Sequence, residues 1–112
     1  MPELYIGGAW TRAREGGCRE IRCPADGSLV AEVDEATAPD AAAAVGAARE
    51  AFDAGEWSSS STLERGRLLH RVADLLERDK ADIARLESLD TGKRLVESEY
   101  DVDDVAGVFR HY

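Results

Sequence analysis

The sequence predicts an α/β fold: a short antiparallel β unit in residues 1–36, followed by three helices in residues 37–112. Three observations carry this. Short β-prone runs, Leu4-Tyr5-Ile6, Cys18–Arg22 and Leu29–Val33, are divided by glycine- and proline-containing turns. From Thr37 onward the apolar residues recur at helical spacing instead of alternating. Aromatic residues make up only 6% of a chain that is 44% hydrophobic, so Ala and Leu carry the core, a composition that favours helices.

The elements follow in order. Leu4-Tyr5-Ile6 is ended by Gly7-Gly8, a pair that permits a tight turn, and Trp10 resumes the strand. Residues 12–17 are polar and glycine-ended, as a loop would be. Residues 18–22 form the next strand, with Ile21 its one large apolar residue. Pro24 and Asp26-Gly27 make a turn, and Leu29–Val33 alternates as a half-buried strand does. Thr37 opens the first helix, with Pro39 in its first turn and Asp40 three residues on. Ala41, Val45, Ala48 and Phe52 share one face, and Gly55 ends the helix. After the serine run 58–61, Ser61 and Glu64 have the spacing of a capping box. Leu68, Leu69, Val72, Ala73, Leu75, Leu76, Ile83 and Leu86 then give a wide apolar stripe. The pattern runs to Leu89, longer than a typical helix, with a break or bend expected near Asp79-Lys80. Gly92 is placed as a positive-φ stop. The last helix begins after Lys93 and aligns Val102, Val105, Phe109 and Tyr112. Three short strands bury little, and the helical stripes are wide. The expectation is uncovered apolar surface unless more polypeptide follows Tyr112.

Charge and motifs exclude several functions. Twenty-three acids against fourteen bases give a net charge of −9, which argues against nucleic acid and against an anionic membrane surface. No apolar run approaches the roughly 20 residues of a membrane span. Met1-Pro2-Glu3-Leu4 lacks the basic start of a secretory signal, so a cytoplasmic location is expected. Cys18 and Cys23 have neither redox-motif nor zinc-site spacing and read as reduced structural thiols. There is no glycine-rich dinucleotide fingerprint, and Gly92-Lys93 is followed by Arg94, not by the Ser or Thr of a phosphate loop. His70 and His111 are isolated from any partner that would make them bases.

One cluster has chemical potential. Asp101 and Asp104 lie three residues apart on one helix face, Tyr100 adjoins them, and Glu97 falls on the same side. Two readings stay open. The acids can be a solvated helix start favoured by the macrodipole. Alternatively, Tyr100, Asp101 and Asp104 can present an anionic, π-rich patch to a ligand's ammonium group.

An ordered set of segments resembles the first part of the NAD(P)-dependent aldehyde dehydrogenases. The segments are LYIGGAW at 4–10; CPADGSLVAEV at 23–33, with Cys23 where the family usually has Asn; and AVGAAREAF at 44–52. Then come Trp57, ERGRLLHRVADLLERD at 64–79, LESLDTGK at 86–93 and VFRHY at 108–112. YDVDDVAGVF at 100–109 is similar to the aminoaldehyde and betaine-aldehyde branch. That resemblance implies a substrate-entrance role for Tyr100, Asp101 and Asp104, with Val105 as an apolar wall. It also implies a monovalent cation, K⁺ or Na⁺, held by the carbonyls of Ile21 and Arg22 and by Asp90. The family's reaction uses a cysteine thiolate, an oxyanion hole and a glutamate that activates water. In the family pattern those groups, and the loops that bind NAD or NADP, lie beyond residue 112. The expectation is therefore the incomplete N-terminal part of a nucleotide-binding domain, from an enzyme that oxidises a small-molecule aldehyde and assembles as a dimer or tetramer. The competing expectation is a non-catalytic acidic helical module that binds a basic partner or associates with itself.

Overall fold

A computed structural model of the chain describes residues 3–112. They fall into two compact units. One comprises Met1–Ile21 (described from Glu3) with Leu29–Ser59; the other comprises Arg22–Ser28 with Ser60–Tyr112. The elements are β1 (Leu4–Ile6), β2 (Ala9–Thr11), β3 (Cys18–Arg22), β4 (Leu29–Asp34), α1 (Ala38–Ala54), α2 (Thr62–Arg78), α3 (Lys80–Thr91) and α4 (Leu95–His111).

The expected first strand is in fact a hairpin. Gly7 and Gly8, at φ 62° and 83°, reverse the chain, a geometry that glycine adopts without steric cost. β1 and β2 then pair antiparallel, with Leu4 opposite Thr11, Tyr5 opposite Trp10 and Ile6 opposite Ala9. The exposed rings of Tyr5 and Trp10 meet edge-on at 5.0 Å. β3 and β4 form a second two-stranded sheet. The turn between them is closed by the Cys23 N–H donating to the Ser28 carbonyl at 2.9 Å.

Two buried carboxylates organise the first unit. The Asp34 Oδ2 accepts from the Ala13 N–H at 3.0 Å and from Arg12 Nε at 2.8 Å. The Asp40 Oδ2 accepts from the Thr37 N–H at 3.0 Å and the Thr37 hydroxyl at 2.9 Å, while its Oδ1 accepts from the Arg14 N–H at 3.2 Å. Loop 12–14 is thereby tied to the end of β4 and to the first turn of α1. The Thr37 backbone hydrogen bond, above all, holds the Asp40 carboxyl below the usual carboxylate range, against an opposing push from burial.

The stripe expected to be the core face of α1 is not buried. Ala41, Val45, Ala48 and Phe52 are all exposed. Instead Ala44, Ala47, Ala48 and Ala51 line a groove with Tyr5, Ile6, Gly7 and Gly8. An alanine-rich helix offers little hydrophobic contrast between faces. The glycine turn settles the matter, because it can lie closely on small side chains.

In the second unit α4 packs against both α2 and α3. Ala73, Ala84, Val102 and Ala106 are buried at these contacts, together with Ser98, whose hydroxyl is 2.9 Å from that of Ser88. Small residues let the helix backbones approach, as close-packed crossings require. Ser61 and Glu64 form the expected reciprocal cap. The long helical pattern breaks at Asp79 (φ −100°, ψ 11°), where a break or bend was expected, and gives two helices. Gly92 ends α3 at φ 75°, and a β-carbon there would lie 2.9 Å from the Pro24 ring.

Candidate functional site

The site begins with the way α4 is held. Gly92 stops α3, Lys93 follows in the link, and Leu95 starts α4, so the chain doubles back and packs α4 on α3. Ion pairs fix the remaining contacts. Arg110 on α4 reaches Asp74 at 2.9 Å and Glu77 at 2.7 Å on α2. Lys80 on α3 reaches Asp103 on α4 at 2.6 Å.

A groove of about 370 Å³ opens along this bundle. Leu76, Ile83, Val102 and Val105 supply its apolar wall, and Glu87, Asp101 and Asp104 supply its charge. Of the residues expected at a substrate entrance, Asp101, Asp104 and Val105 therefore meet in one place. Tyr100 is exposed and lies outside that lining, and Glu97 is engaged with Arg94 at 2.7 Å. Spacing of three and four residues places all of them on a helix surface, but the width of the groove admits only part of that arc.

Sequence reasoning missed Lys93. Its ammonium donates to Glu87 Oε1 at 2.7 Å and also to the Asp101 carboxylate. Asp101 first and Glu87 second hold that ammonium well above the usual lysine range. The signal was a lone lysine in the link between two acid-bearing helices, but its two partners lie six and eight residues away on opposite sides. Asp104 makes no side-chain hydrogen bond or ion pair among the described residues.

The residues expected at a monovalent cation lie as follows. Ile21 is half-buried near the end of β3, and Asp90 is exposed in the last turn of α3. The Arg22 guanidinium donates to the Gly27 carbonyl at 3.0 Å, so its positive charge is turned into its own turn. Cys18 and Cys23 are both free thiols, Cys18 exposed and Cys23 buried. Among the described residues no helix is long and apolar enough to cross a membrane.

With this geometry in view, the comparisons with known proteins are decisive about kinship. The aldehyde dehydrogenase family model matches residues 10–112. The chain belongs to the aldehyde dehydrogenase family. It is 49% identical over 109 residues to a betaine aldehyde dehydrogenase of Bacillus subtilis, covering 97% of this chain and 22% of that protein. It is 41% identical over 112 residues to human retinal dehydrogenase 2, covering 98% of this chain and 22% of that protein. The crystal structure of Staphylococcus aureus betaine aldehyde dehydrogenase in complex with NAD⁺ superposes with a TM-score of 0.94 at 39% identity. That match covers 98% of this chain and 22% of the other. This aldehyde dehydrogenase chain thus spans about 22% of the length of the relatives it matches.

Proposed function

We propose that this chain is the N-terminal part of the nucleotide-binding domain of an enzyme that oxidises an aldehyde to a carboxylic acid with NAD(P)⁺. The observation that carries the reading is the 49% identity to a betaine aldehyde dehydrogenase across nearly the whole chain. The thiolate, oxyanion hole and water-activating glutamate would come from polypeptide beyond residue 112, as would the cofactor loops and the homo-oligomeric contacts. A K⁺ or Na⁺ held at Ile21, Arg22 and Asp90 belongs to the same reading.

The substrate we favour is an aminoaldehyde or betaine aldehyde. A cationic ligand fits a groove with carboxylates on an apolar wall, since the charge finds Asp104 while methyl groups find Ile83, Val102 and Val105. Tyr100 and Asp101 would flank the approach. The self-contained module has less support. Large apolar side chains stand exposed on both units, Val45 at 69% and Leu75 at 49% among them, where an independent module would cover them.

The test is a chimera. This chain replaces the matching segment of the Bacillus subtilis betaine aldehyde dehydrogenase, and aldehyde-dependent NAD⁺ reduction is measured for the chimera and for the 112-residue chain alone. An active chimera and a silent chain are expected. Turnover by the chain alone would show that the chemistry is already within it.

A further inference from the structure

We propose that the face of α2 from Thr62 to Arg71 is the seat of the polypeptide that follows Tyr112 in the parent enzyme, and that this segment brings a carboxylate to Arg67 and Arg71. The inference rests on reading the chain as the N-terminal part of a longer dehydrogenase. It adds where the next segment docks and what charge it carries there.

A groove of about 750 Å³ lies on this face. Leu63, Gly66 and Tyr112 supply its apolar part, and Arg67, His70 and Arg71 its cationic part. Leu63 is 63% exposed and Tyr112 78%, so the large apolar side chains of the groove stand in water. The chain is already aimed along it. Arg110 of α4 meets Asp74 and Glu77, and two residues later the Tyr112 carbonyl lies over Gly66, 3.6 Å from where a β-carbon would be. α4 therefore advances toward the start of α2, and one further helical turn, about 5 Å, carries the backbone from Gly66 toward Leu63. The relatives have the length to supply it, since the matched segment is 22% of each. Glycine inside a helix costs stability relative to alanine, and a backbone passing this close gives Gly66 a packing reason.

The charge of the occupant follows from the arginines. Arg78, Arg94 and Arg110 of the same unit are paired with carboxylates. Arg67 and Arg71 make no ion pair among the described residues. They stand one turn apart on α2, where like charges repel, and a carboxylate laid beside them turns that repulsion into attraction. A second copy of this chain, at net charge −9, also has acids to offer. The continuing chain is favoured over it because a tethered segment is held at high effective concentration and needs no association.

The test is hydroxyl-radical footprinting of the chimera with the Bacillus subtilis enzyme, read at Leu63 and Tyr112 with the buried Val102 as reference, each rate being taken relative to its rate in urea. In an active chimera both residues should be as protected as Val102. Two variants then report on the occupant. Gly66→Ala should raise the helical melting temperature of the 112-residue chain, because alanine is the better helix former and meets only the Tyr112 carbonyl. In the chimera it should lower the melting temperature, because a further backbone fills that space. Arg67→Ala combined with Arg71→Ala should lower the melting temperature of the chimera by a few degrees and not that of the 112-residue chain. Leu63 and Tyr112 oxidised as freely in an active chimera as in the 112-residue chain would overturn the seat while leaving the parent reading in place. So would Gly66→Ala stabilising both proteins. A double arginine variant without effect on the chimera would overturn the carboxylate. Protection of Leu63 in the 112-residue chain that grows with its concentration would assign the groove to a second copy instead. A chimera without turnover would overturn the parent reading, and this seat with it.

Discussion

The two units bury different kinds of group. In the strand-bearing unit the most buried groups include two carboxylates, Asp34 and Asp40, each accepting hydrogen bonds from the loop at 12–14. In the helical unit they are chiefly small residues, Ala73, Ala84, Ala106 and Ser98, at helix crossings. The first is held by hydrogen-bonded carboxylates, although the buried Oδ1 of Asp34 lacks a partner, and the second by close approach of backbones. A buried carboxylate costs little only while its hydrogen bonds are intact, whereas a buried alanine has no such condition. The units should therefore fail under different perturbations. Both tryptophans, Trp10 and Trp57, belong to the strand-bearing unit, so their fluorescence reports on it.

The largest expected effect is that of Asp40→Ala. It removes the acceptor for the Thr37 N–H, the Thr37 hydroxyl and the Arg14 N–H together. The fluorescence-detected melting temperature should fall by roughly 10 °C, as expected when several buried hydrogen bonds are lost at once from a small domain. The acid limb gives a second readout. The folded pKa of Asp40 is below the ordinary aspartate value of 3.8. Its contribution is therefore complete above that value and is lost as pH falls from there through the depressed folded pKa. Asp40→Asn should flatten this part of the fluorescence-detected acid transition. An unchanged acid limb would remove the carboxylate from the account of this unit.

Ala106→Leu tests the other half of the contrast. Ala106 is 1% exposed in α4, so a leucine has no room without moving a helix. A cost of about 1–3 kcal/mol is expected for such overpacking. It should appear in the helical circular dichroism transition and leave the tryptophan transition in place. Coincident shifts by both probes would show that the units melt as one and would break the distinction drawn between them.

The same contrast explains what could be read in the sequence. Features that close within four residues were legible: Asp40 beside Thr37, Glu64 with Ser61, and the left-handed stop at Gly92. Each depends on local stereochemistry alone. The buried face of α1 was not legible, because alanine on every side leaves no periodic contrast and the decision falls to a glycine turn some forty residues earlier. Within the candidate site, Asp101 and Asp104 were placed together by helical spacing, and Val105 was added by the family resemblance. Lys93 escaped because its partners are assembled only when α4 folds back on α3. Kinship was the most legible property, since it rested on ordered segments rather than on any one contact.

The smallest expected effects separate a hydrogen-bonded helix start from an exposed ion pair. At the start of α2, the Ser61 hydroxyl oxygen accepts from the Glu64 N–H at 3.2 Å, while Glu64 Oε2 accepts from the Ser61 N–H at 2.8 Å. Ser61→Ala removes an acceptor from a backbone donor that has no intrahelical partner, and should cost about 1 kcal/mol. On α1, Arg49 pairs with Asp53 one turn on and lies 5.5 Å from the Phe52 ring, with the paired side chains 69% and 52% exposed. Water already serves both charges there, and ordering two long side chains offsets much of the attraction. Arg49→Ala should therefore cost about 0.5 kcal/mol or less, and less still in high salt. Urea melts of the two variants, the first followed by circular dichroism and the second by tryptophan fluorescence, measure the difference. If Arg49→Ala proved as costly as Ser61→Ala, surface charge would be holding the strand-bearing unit as firmly as its buried carboxylates do, and the division between the two units would have to be redrawn at the surface.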